Sequence, residues 1–284
     1  MKDLNLNSKI VLNNGVEMPV IGFGVFRVPD GEETGNAVKW ALGAGYRLID
    51  TAKRYENEEG VGKGIKESGI PREDIFVITK LWNTDHGYEN TLKAIEVSLS
   101  KLGLSYVDQY LIHWPTANES SKISMNKREE TWKAMEEIYK RGLAKSIGVC
   151  NYTVSHMEEM KKYATIPPAV NQSEFHPFLY QEELLNYCKQ NNIVFEAHSS
   201  LAQERSVDDE TINNLAKKYG KSGPQLLLRW SMQHGAIPIS KSVHKERIEE
   251  NIKVFNFELS EEDMKTLDGL NENLHLRSDP ANLK

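Results

Sequence analysis

Short apolar segments and longer amphipathic segments alternate along almost the whole sequence. The short segments are rich in β-branched residues, which is typical of buried parallel strands. We predict strands at Val20–Gly22, Arg47–Asp50, Ile75–Lys80, Val107–His113, Ala144–Cys150, Ala169–Glu174, Ile193–His198 and Ala236–Ile239. Helical spacing predicts helices at Glu33–Leu42, Glu56–Ser68, Glu89–Leu102, Arg128–Tyr139, Val154–Tyr163, Gln181–Lys189, Asp208–Tyr219, Pro224–Gln233 and Lys245–Asn251, and a last one after Ser260. The pattern predicts an α/β fold with a parallel sheet.

Two α/β architectures accommodate this many strands, a closed (β/α)₈ barrel and a long doubly wound sheet. Polar side chains end many of the predicted strands, rather than clustering near one switch point. They are Asp50, Lys80, His113, Asn151, Glu174 and His198. This even spread favours a TIM barrel, whose active site lies at the carboxyl ends of its strands. An Asn-Asn-Gly turn in KIVLNNGVEMPV predicts a β-hairpin ahead of the barrel.

Composition limits the class of protein. The chain has 284 residues and a net charge of −6, so it lacks the basic excess of a nucleic-acid binder. Two cysteines make no disulfide framework, and no apolar run approaches the roughly 20 residues of a membrane span. The N-terminus carries no secretory pattern. We expect a single domain over residues 1–284, in the cytoplasm, with no nucleic-acid or membrane partner.

Common site motifs are weak or absent. The cluster Gly60-Val61-Gly62-Lys63-Gly64 lies within a predicted helix, so close helix packing explains it better than a dinucleotide-binding turn. Histidines and cysteines lack metal-ligand spacing, and no G-x-S-x-G elbow is present. Cys150 could pair with His113, but a small apolar residue at a strand end is the simpler interpretation.

Four residues form a more informative group at the predicted rim. Asp50, Lys80 and His113 end three successive strands, and Tyr55 follows Asp50 in the next loop. A nearby ammonium favours the phenolate, so we expect Lys80 to lower the pKa of Tyr55, with Asp50 holding Lys80 in place. A histidine can orient a carbonyl oxygen. This combination suits reduction of a C=O group by hydride from a nicotinamide, with Tyr55 as the proton donor.

Longer segments around these residues resemble the aldo-keto reductase superfamily, and most closely the bacterial 2,5-diketogluconate reductase and glyoxal reductase group. The segments are GYRLIDTAKRYENEEGVG, TKLWN, YVDQYLIHWP, IGVCNY, VNQSEFHP and PISKSVHKERIEEN. The resemblance runs in order from LNNGVEMPVIGFG to FELSEEDM. It implies a (β/α)₈ barrel that uses NADPH to reduce small aldehydes, 2-oxoaldehydes or keto-sugars. It also implies Tyr55 as general acid, Lys80 and Asp50 as its tuning pair, and His113 as the orienting group.

The same resemblance implies a cofactor site. Asn151 and Gln172 would bind the nicotinamide carboxamide, and Lys241, Ser242 and Arg247 the 2′-phosphate, at the start of a helix that suits phosphate. Glu250 and Asn251 would face the adenine. The full expected cofactor set is Gly24, Val25, Asp50, Asn151, Gln172, His198, Ser199, Leu201, Lys241, Ser242, Val243, Arg247, Glu250 and Asn251. Phe26, Trp82, His113 and Trp114 would line the substrate pocket.

Some positions depart from the family pattern. His198 stands where relatives usually carry a stacking Trp or Tyr, and Cys150 stands where they carry Ser. The short tail after Leu270 predicts an open site. Lys53 and Arg54 add positive charge near the rim, which would favour anionic substrates, but solvated side chains are the simpler interpretation. We expect a monomer acting on a small carbonyl compound, without a metal. The alternative function is a catalytically weak NADPH-binding sensor or regulatory subunit of the same fold.

Overall fold

A closed barrel of parallel strands forms the centre of the molecule. The computed structural model describes residues 4–116 and 125–282, and within these ranges eight strands close the barrel in the order β10-β3-β4-β5-β6-β7-β8-β9. The strands are β3 (Gly22–Gly24), β4 (Leu48–Asp50), β5 (Phe76–Leu81), β6 (Gln109–Ile112), β7 (Ile147–Cys150), β8 (Val170–Glu174), β9 (Val194–His198) and β10 (Ile237–Ser240). The predicted TIM barrel is therefore confirmed, and the open sheet is excluded.

Helices connect the strands and surround the barrel. They are α1 (Glu32–Ala44), α2 (Glu58–Ser68), α3 (Tyr88–Leu102), α4 (Met125–Lys140), α5 (Val154–Met160), α6 (Glu182–Gln190), α7 (Glu210–Tyr219), α8 (Gly223–Gln233), α9 (Lys245–Asn251) and α10 (Glu261–Asp268). The hydroxyl of Ser260 accepts a hydrogen bond from the Asp263 backbone N–H, so it caps α10 as its sequence predicts. In the described part of the chain, no helix is long and apolar enough to cross a membrane.

The predicted N-terminal hairpin is confirmed. Strands β1 (Lys9–Val11) and β2 (Glu17–Pro19) pair antiparallel, outside the barrel. The hairpin also explains why the first barrel strand differs from its predicted bounds of Val20–Gly22. The backbone N–H of Val20 bonds to Ser8 of the hairpin, so strand pairing with β10 and β4 starts only at Gly22. The shift places Gly24 in register with Asp50, at the carboxyl rim.

Other element ends differ from prediction by a few residues. Val107 and Ala144 form only an isolated bridge, so β6 and β7 begin later than predicted. Helix α5 ends at Met160 instead of Tyr163. Each barrel strand is almost wholly buried, because helices cover its outer face and the side chains of the strands fill the barrel interior.

The glycine cluster serves helix packing, as its position inside a helix predicted. A Cβ atom on Gly64 would lie 2.7 Å from the carbonyl oxygen of Gly35 in α1, and one on Gly62 would overlap the backbone of Leu102 at the end of α3. Hydrogen in place of a side chain lets α2 pack directly against both neighbours.

We expect Gly62→Ala to lower the free energy of unfolding by about 1 to 3 kcal/mol, because the backbone of Leu102 cannot yield as a side chain would. Gly43→Ala is the matched control, since Gly43 lies on the exposed side of α1 with no atom near the added Cβ. Alanine favours helix, so this control should gain up to about 1 kcal/mol. Urea denaturation of the two variants measures both effects, and equal stability would contradict the packing argument.

Candidate active site

A buried ion pair lies at the carboxyl end of β4 and β5. The Nζ atom of Lys80 is 2.7 Å and 2.6 Å from the two carboxylate oxygens of Asp50 and 2.9 Å from the carbonyl oxygen of Thr51. The hydroxyl of Tyr55 lies 3.4 Å from the same nitrogen. Strand pairing aligns Asp50 with Ile78, two residues before Lys80, so both side chains enter the barrel at adjacent levels. The predicted contact between Lys80 and Tyr55 is present.

Lys80 keeps its charge despite complete burial. Burial alone lowers the pKa of an ammonium group, but the carboxylate of Asp50, the largest opposing influence, raises the pKa of Lys80 above its ordinary value. Because the amine is held by Asp50 and by Thr51, it donates toward the Tyr55 oxygen from a fixed position. The phenol proton is then free to point away from Lys80, toward the open side of the site.

The expectation of a lowered pKa for Tyr55 is not met in this structure. Burial raises the pKa of Tyr55 to about 12, and Lys80 only partly opposes this effect. Desolvation of a phenolate in the barrel mouth therefore outweighs attraction to the ammonium. The phenol stays protonated at neutral pH, which is the form that a proton donor must have.

His113 is a neutral hydrogen-bond donor beside Tyr55. Burial and then the charge of Lys80 lower the pKa of His113 well below its ordinary value. Its Nδ1 atom is buried and has no hydrogen-bond partner among the described residues. A proton on Nδ1 would be a buried donor without an acceptor, so we assign the proton to Nε2. The imidazole meets the Tyr55 ring edge-on, with ring centroids 5.7 Å apart.

Two of the predicted pocket aromatics flank this pair. The ring of Phe26 lies 5.0 Å from that of Tyr55, and the ring of Trp82 lies 5.2 Å from that of His113. Trp114 follows His113 and is half-buried, but among the described residues its ring stacks on none of these groups. The site therefore has two aromatic walls, with the phenol and the imidazole between them.

A buried acid that the sequence analysis did not select lies beneath the site. Glu196 of β9 is completely buried, and its Oε2 accepts a hydrogen bond of 2.8 Å from Nε2 of Gln172, which also donates to Asp50 at 3.0 Å. Burial, reinforced by the charge of Asp50, raises the pKa of Glu196 to about 8. The sequence does carry a signal for Glu196, which is an acid within the apolar strand of FEAHSS. Buried carboxylates without a partner are rare, so such an acid indicates a specific role. The two carboxyl groups orient the Gln172 amide so that its oxygen remains available.

His198 binds Asn151 through the edge of its ring. Its Nε2 atom is 2.9 Å from Oδ1 of Asn151, and Nδ1 is 3.1 Å from the hydroxyl of Ser199. Asn151 adopts a left-handed backbone conformation (φ 59°) and donates from Nδ2 to the carbonyl oxygen of His113 at 3.0 Å. Burial lowers the pKa of His198 to about 4, so the ring is neutral at physiological pH. His198 thus fixes the orientation of the Asn151 side-chain amide, which the sequence predicts to bind the cofactor.

The other predicted cofactor residues lie along the same rim. Lys241, Ser242 and Val243 follow β10, and Arg247 lies in α9. In the described ranges the side chains of Lys241 and Arg247 are exposed and form no ion pair, whereas the Ser242 hydroxyl accepts a bond from the backbone of His244. The remaining members are Gly24 and Val25 at the end of β3, Ser199 and Leu201 after β9, and Glu250 (exposed) and Asn251 (buried) at the end of α9.

Cysteine and metal chemistry find no support in the described residues. Burial raises the pKa of the Cys150 thiol well above its ordinary value, so it is inert as a nucleophile. No cluster of three potential metal-ligating side chains occurs in residues 4–116 and 125–282. Glu174, another strand-end acid, holds the tail, because its carboxylate accepts the backbone N–H groups of Leu276 and Arg277 at 2.8 Å and 3.2 Å. The tail therefore reaches the barrel mouth despite its short length.

The fold and site define the class of protein, a TIM barrel with a buried ion pair, a phenol and an imidazole together at the carboxyl rim. Residues 20–272 match the model of the aldo/keto reductase family. The chain belongs to this family of oxidoreductases.

Relatives known from sequence and from solved structures match almost the whole chain. It is 49% identical over 279 residues to a glyoxal reductase of Bacillus subtilis, covering 98% of each chain, and 50% identical over 282 residues to an uncharacterized oxidoreductase, YtbE, of the same organism, again with 98% coverage of each. The crystal structure of MGS-M4, an aldo-keto reductase from a deep-sea metagenome library, matches with a TM-score of 0.91 at 45% identity, covering 97% of this chain and 99% of that one. A Bombyx mori aldo-keto reductase in complex with NADP matches with a TM-score of 0.88 at 38% identity, covering 95% of each chain.

The pKa of Glu196 predicts an unusual pH dependence of stability. Its native pKa of about 8 exceeds the ordinary value of 4.5, so between these pH values the native state binds more protons than the unfolded state. The contribution of Glu196 to stability is therefore lost as the pH rises. Glu196→Gln removes this loss. The free energy of unfolding of the variant, relative to that of the wild type, should therefore rise by about 2 kcal/mol from pH 6 to pH 8.

Urea denaturation at pH 6, 7 and 8 measures this difference. Glu183→Gln is the control, since Glu183 is exposed on α6, and its stability should run parallel to that of the wild type. A difference between Glu196→Gln and the wild type that does not change with pH would show that Glu196 is ionised throughout this range.

Proposed function

We propose that the protein reduces small aldehydes, 2-oxoaldehydes or keto-sugars to alcohols with NADP(H), using Tyr55 as the proton donor. The observation that carries the proposal is the 3.4 Å contact between the buried Lys80 ammonium and the Tyr55 hydroxyl, beside a neutral His113. Similarity to a glyoxal reductase supports the substrate class, and similarity to a relative solved with NADP supports the cofactor. A cytoplasmic, monomeric, single-domain enzyme stays our prediction.

The rim residues fit a nicotinamide dinucleotide phosphate. The oxygen of the Gln172 amide has no protein partner in the described chain, because Asp50 and Glu196 both bind its nitrogen. Lys241 and Arg247 offer unpaired cations for a 2′-phosphate, and Asn151 retains one amide proton for the carboxamide. The cofactor, when bound, supplies the hydride.

The chain's own residues handle the carbonyl oxygen. Tyr55 and His113 each direct one hydrogen-bond donor into the space between Phe26 and Trp82, where they hold the oxygen. As negative charge develops there, the Tyr55 Oη–H bond breaks and its proton passes to the oxygen. Lys80 stabilises the phenolate that remains, through the contact at 3.4 Å.

A sensor or regulatory subunit would need the same cofactor site without this arrangement. The buried ion pair, the protonated phenol and the neutral imidazole all have the states that proton transfer requires. The buried ion pair of Asp50 and Lys80 costs desolvation free energy, and a sensor would have no use for it. The geometry therefore favours an enzyme over a sensor or regulatory subunit.

We expect Tyr55→Phe to lower kcat by two to four orders of magnitude, because it removes only the acidic proton and keeps the ring against Phe26. The dissociation constant for NADPH, measured by fluorescence titration, should change less than about twofold. Tyr88→Phe is the control, since Tyr88 is exposed at the start of α3. Full activity of Tyr55→Phe would show that another group donates the proton.

We expect Arg247→Ala to raise KM for NADPH about tenfold and to leave KM for NADH nearly unchanged, because only NADPH carries the 2′-phosphate. Lys253→Ala removes an exposed cation just beyond the end of α9 and serves as the control. Steady-state kinetics with each cofactor separate the two effects. Equal increases for both cofactors would place Arg247 elsewhere than at the 2′-phosphate.

A further inference from the structure

Three arginines at the barrel mouth form no ion pair with any acid in the described part of the chain. Arg27 follows Phe26, Arg54 precedes Tyr55, and Arg277 lies in the tail. Across the described ranges, their guanidinium groups form no ion pair and no hydrogen bond with the protein. Four other arginines differ in this respect, since Arg72, Arg128, Arg141 and Arg205 each pair with a carboxylate.

Each of the three guanidinium groups lies on a wall of the proposed substrate site. The Cζ atoms of Arg277 and Arg27 are 4.7 Å and 5.2 Å from the centroid of the Phe26 ring, and Cζ of Arg54 is 5.4 Å from that of Trp82. Cation–π attraction holds an arginine in such a position without using its N–H donors. Because Phe26 contacts Tyr55 and Trp82 contacts His113, the charges lie one ring away from the reaction centre, on two sides of it.

The charges are close enough to oppose one another and to reach the catalytic groups. After burial, the charge of Arg27 is the largest influence that lowers the pKa of Arg277. The charge of Arg54 likewise helps to lower the pKa of His113. The Glu174 carboxylate partly offsets this repulsion at Arg277. Like charges held close together cost free energy, in a chain whose net charge is −6.

Their positions are set by the fold and not by chance contacts of surface side chains. The backbone of Arg277 is anchored by Glu174 at the end of β8, and Arg54 lies in the 3₁₀ turn Lys53–Tyr55. The neighbouring cation, Lys53, is paired with Asp85. Lys53 is therefore neutralised and half-buried, whereas Arg54 is exposed, as expected, with its guanidinium group over Trp82. In the described chain, the unpaired charge beside Phe26 and Trp82 belongs to the three arginines.

We infer that Arg27, Arg54 and Arg277 select carbonyl substrates that carry a carboxylate or a phosphate on the side facing away from the carbonyl. Guanidinium groups with free N–H donors bind either anion in a bidentate manner. A substrate whose carbonyl oxygen meets Tyr55 and His113 would extend its other end past Phe26 or Trp82 to these groups. This inference rests on the proposed function, since it assigns the substrate class of the same site.

Two pairs of aldehydes test the selection, each matched in shape and differing in charge. The carboxylate pair is 4-carboxybenzaldehyde and its methyl ester, and the phosphate pair is glyceraldehyde 3-phosphate and glyceraldehyde. We expect kcat/KM at saturating NADPH to be about tenfold higher for the charged member of at least one pair, mainly through KM. The preference should weaken as ionic strength rises. The pair that shows the larger preference identifies the anion.

Arg277→Gln, Arg54→Gln and Arg27→Gln should each lower the ratio of charged to neutral kcat/KM, with Arg277→Gln lowering it most, about fivefold to tenfold, because it is the most buried of the three. Arg141→Gln is the control, since Arg141 follows α4 at the opposite end of the barrel and pairs with Glu137. This control should leave the ratio at the wild-type value. The NADPH dissociation constant of every variant is measured by fluorescence titration.

The outcomes separate the inference from the proposed function. If the wild type reduces none of the four aldehydes, the proposed function fails. If it reduces the neutral members but prefers neither charged one, and the arginine variants leave the ratio unchanged, the inference alone is overturned. If the variants weaken both members equally and also weaken NADPH binding, the arginines serve the cofactor and the inference is overturned as well.

Discussion

The rest of the site depends on the buried ion pair between Asp50 and Lys80. Inside the barrel neither charge can be solvated by water, and loss of either partner would leave the other unpaired at a cost of about 3 to 5 kcal/mol. The pair therefore fixes two neighbours at once. Lys80 positions the hydroxyl of Tyr55, and Asp50 accepts a hydrogen bond from Gln172. The Asp50 carboxylate thus helps to position both Tyr55, the proposed proton donor, and Gln172, the predicted contact of the nicotinamide.

The same burial sets opposite protonation preferences in adjacent groups. It keeps Tyr55 protonated and His113 neutral, while Asp50 keeps Lys80 charged. Desolvation disfavours every charge, so a charge survives only where a specific partner offsets the loss of water. Glu196 is the informative exception, because it has Gln172 as its partner but no cation in contact, and its pKa rises to about 8. The layer beneath the reaction centre therefore holds a carboxyl group that titrates near physiological pH.

Periodicity and strand ends predicted most of this arrangement. Alternating apolar and amphipathic segments predicted a parallel sheet covered by helices, and the even spread of polar strand ends favoured the barrel. The same strand ends identified Asp50, Lys80 and His113. The pKa of Tyr55 could not be predicted in this way, since its direction depends on how deeply the ring is buried. Arg277 was missed because its position depends on hydrogen bonds from a distant tail to Glu174, which leave no local signal. Glu196 was missed although the sequence carries a local signal for it, an acid inside an apolar strand.

The division between strands and loops explains how this barrel can keep one chemistry and vary its substrates. Asp50, Lys80 and His113 stand on or directly after β4, β5 and β6, where backbone hydrogen bonds to neighbouring strands fix their positions, and Tyr55 lies in the short turn that follows β4. Arg27, Arg54 and Arg277 stand on connecting segments, whose sequences can change without altering strand register. Within the described residues, their guanidinium groups contact the site through the faces of Phe26 and Trp82, which are themselves loop residues. A change of charge at the mouth therefore alters what the barrel admits, and the ion pair beneath it remains as it is.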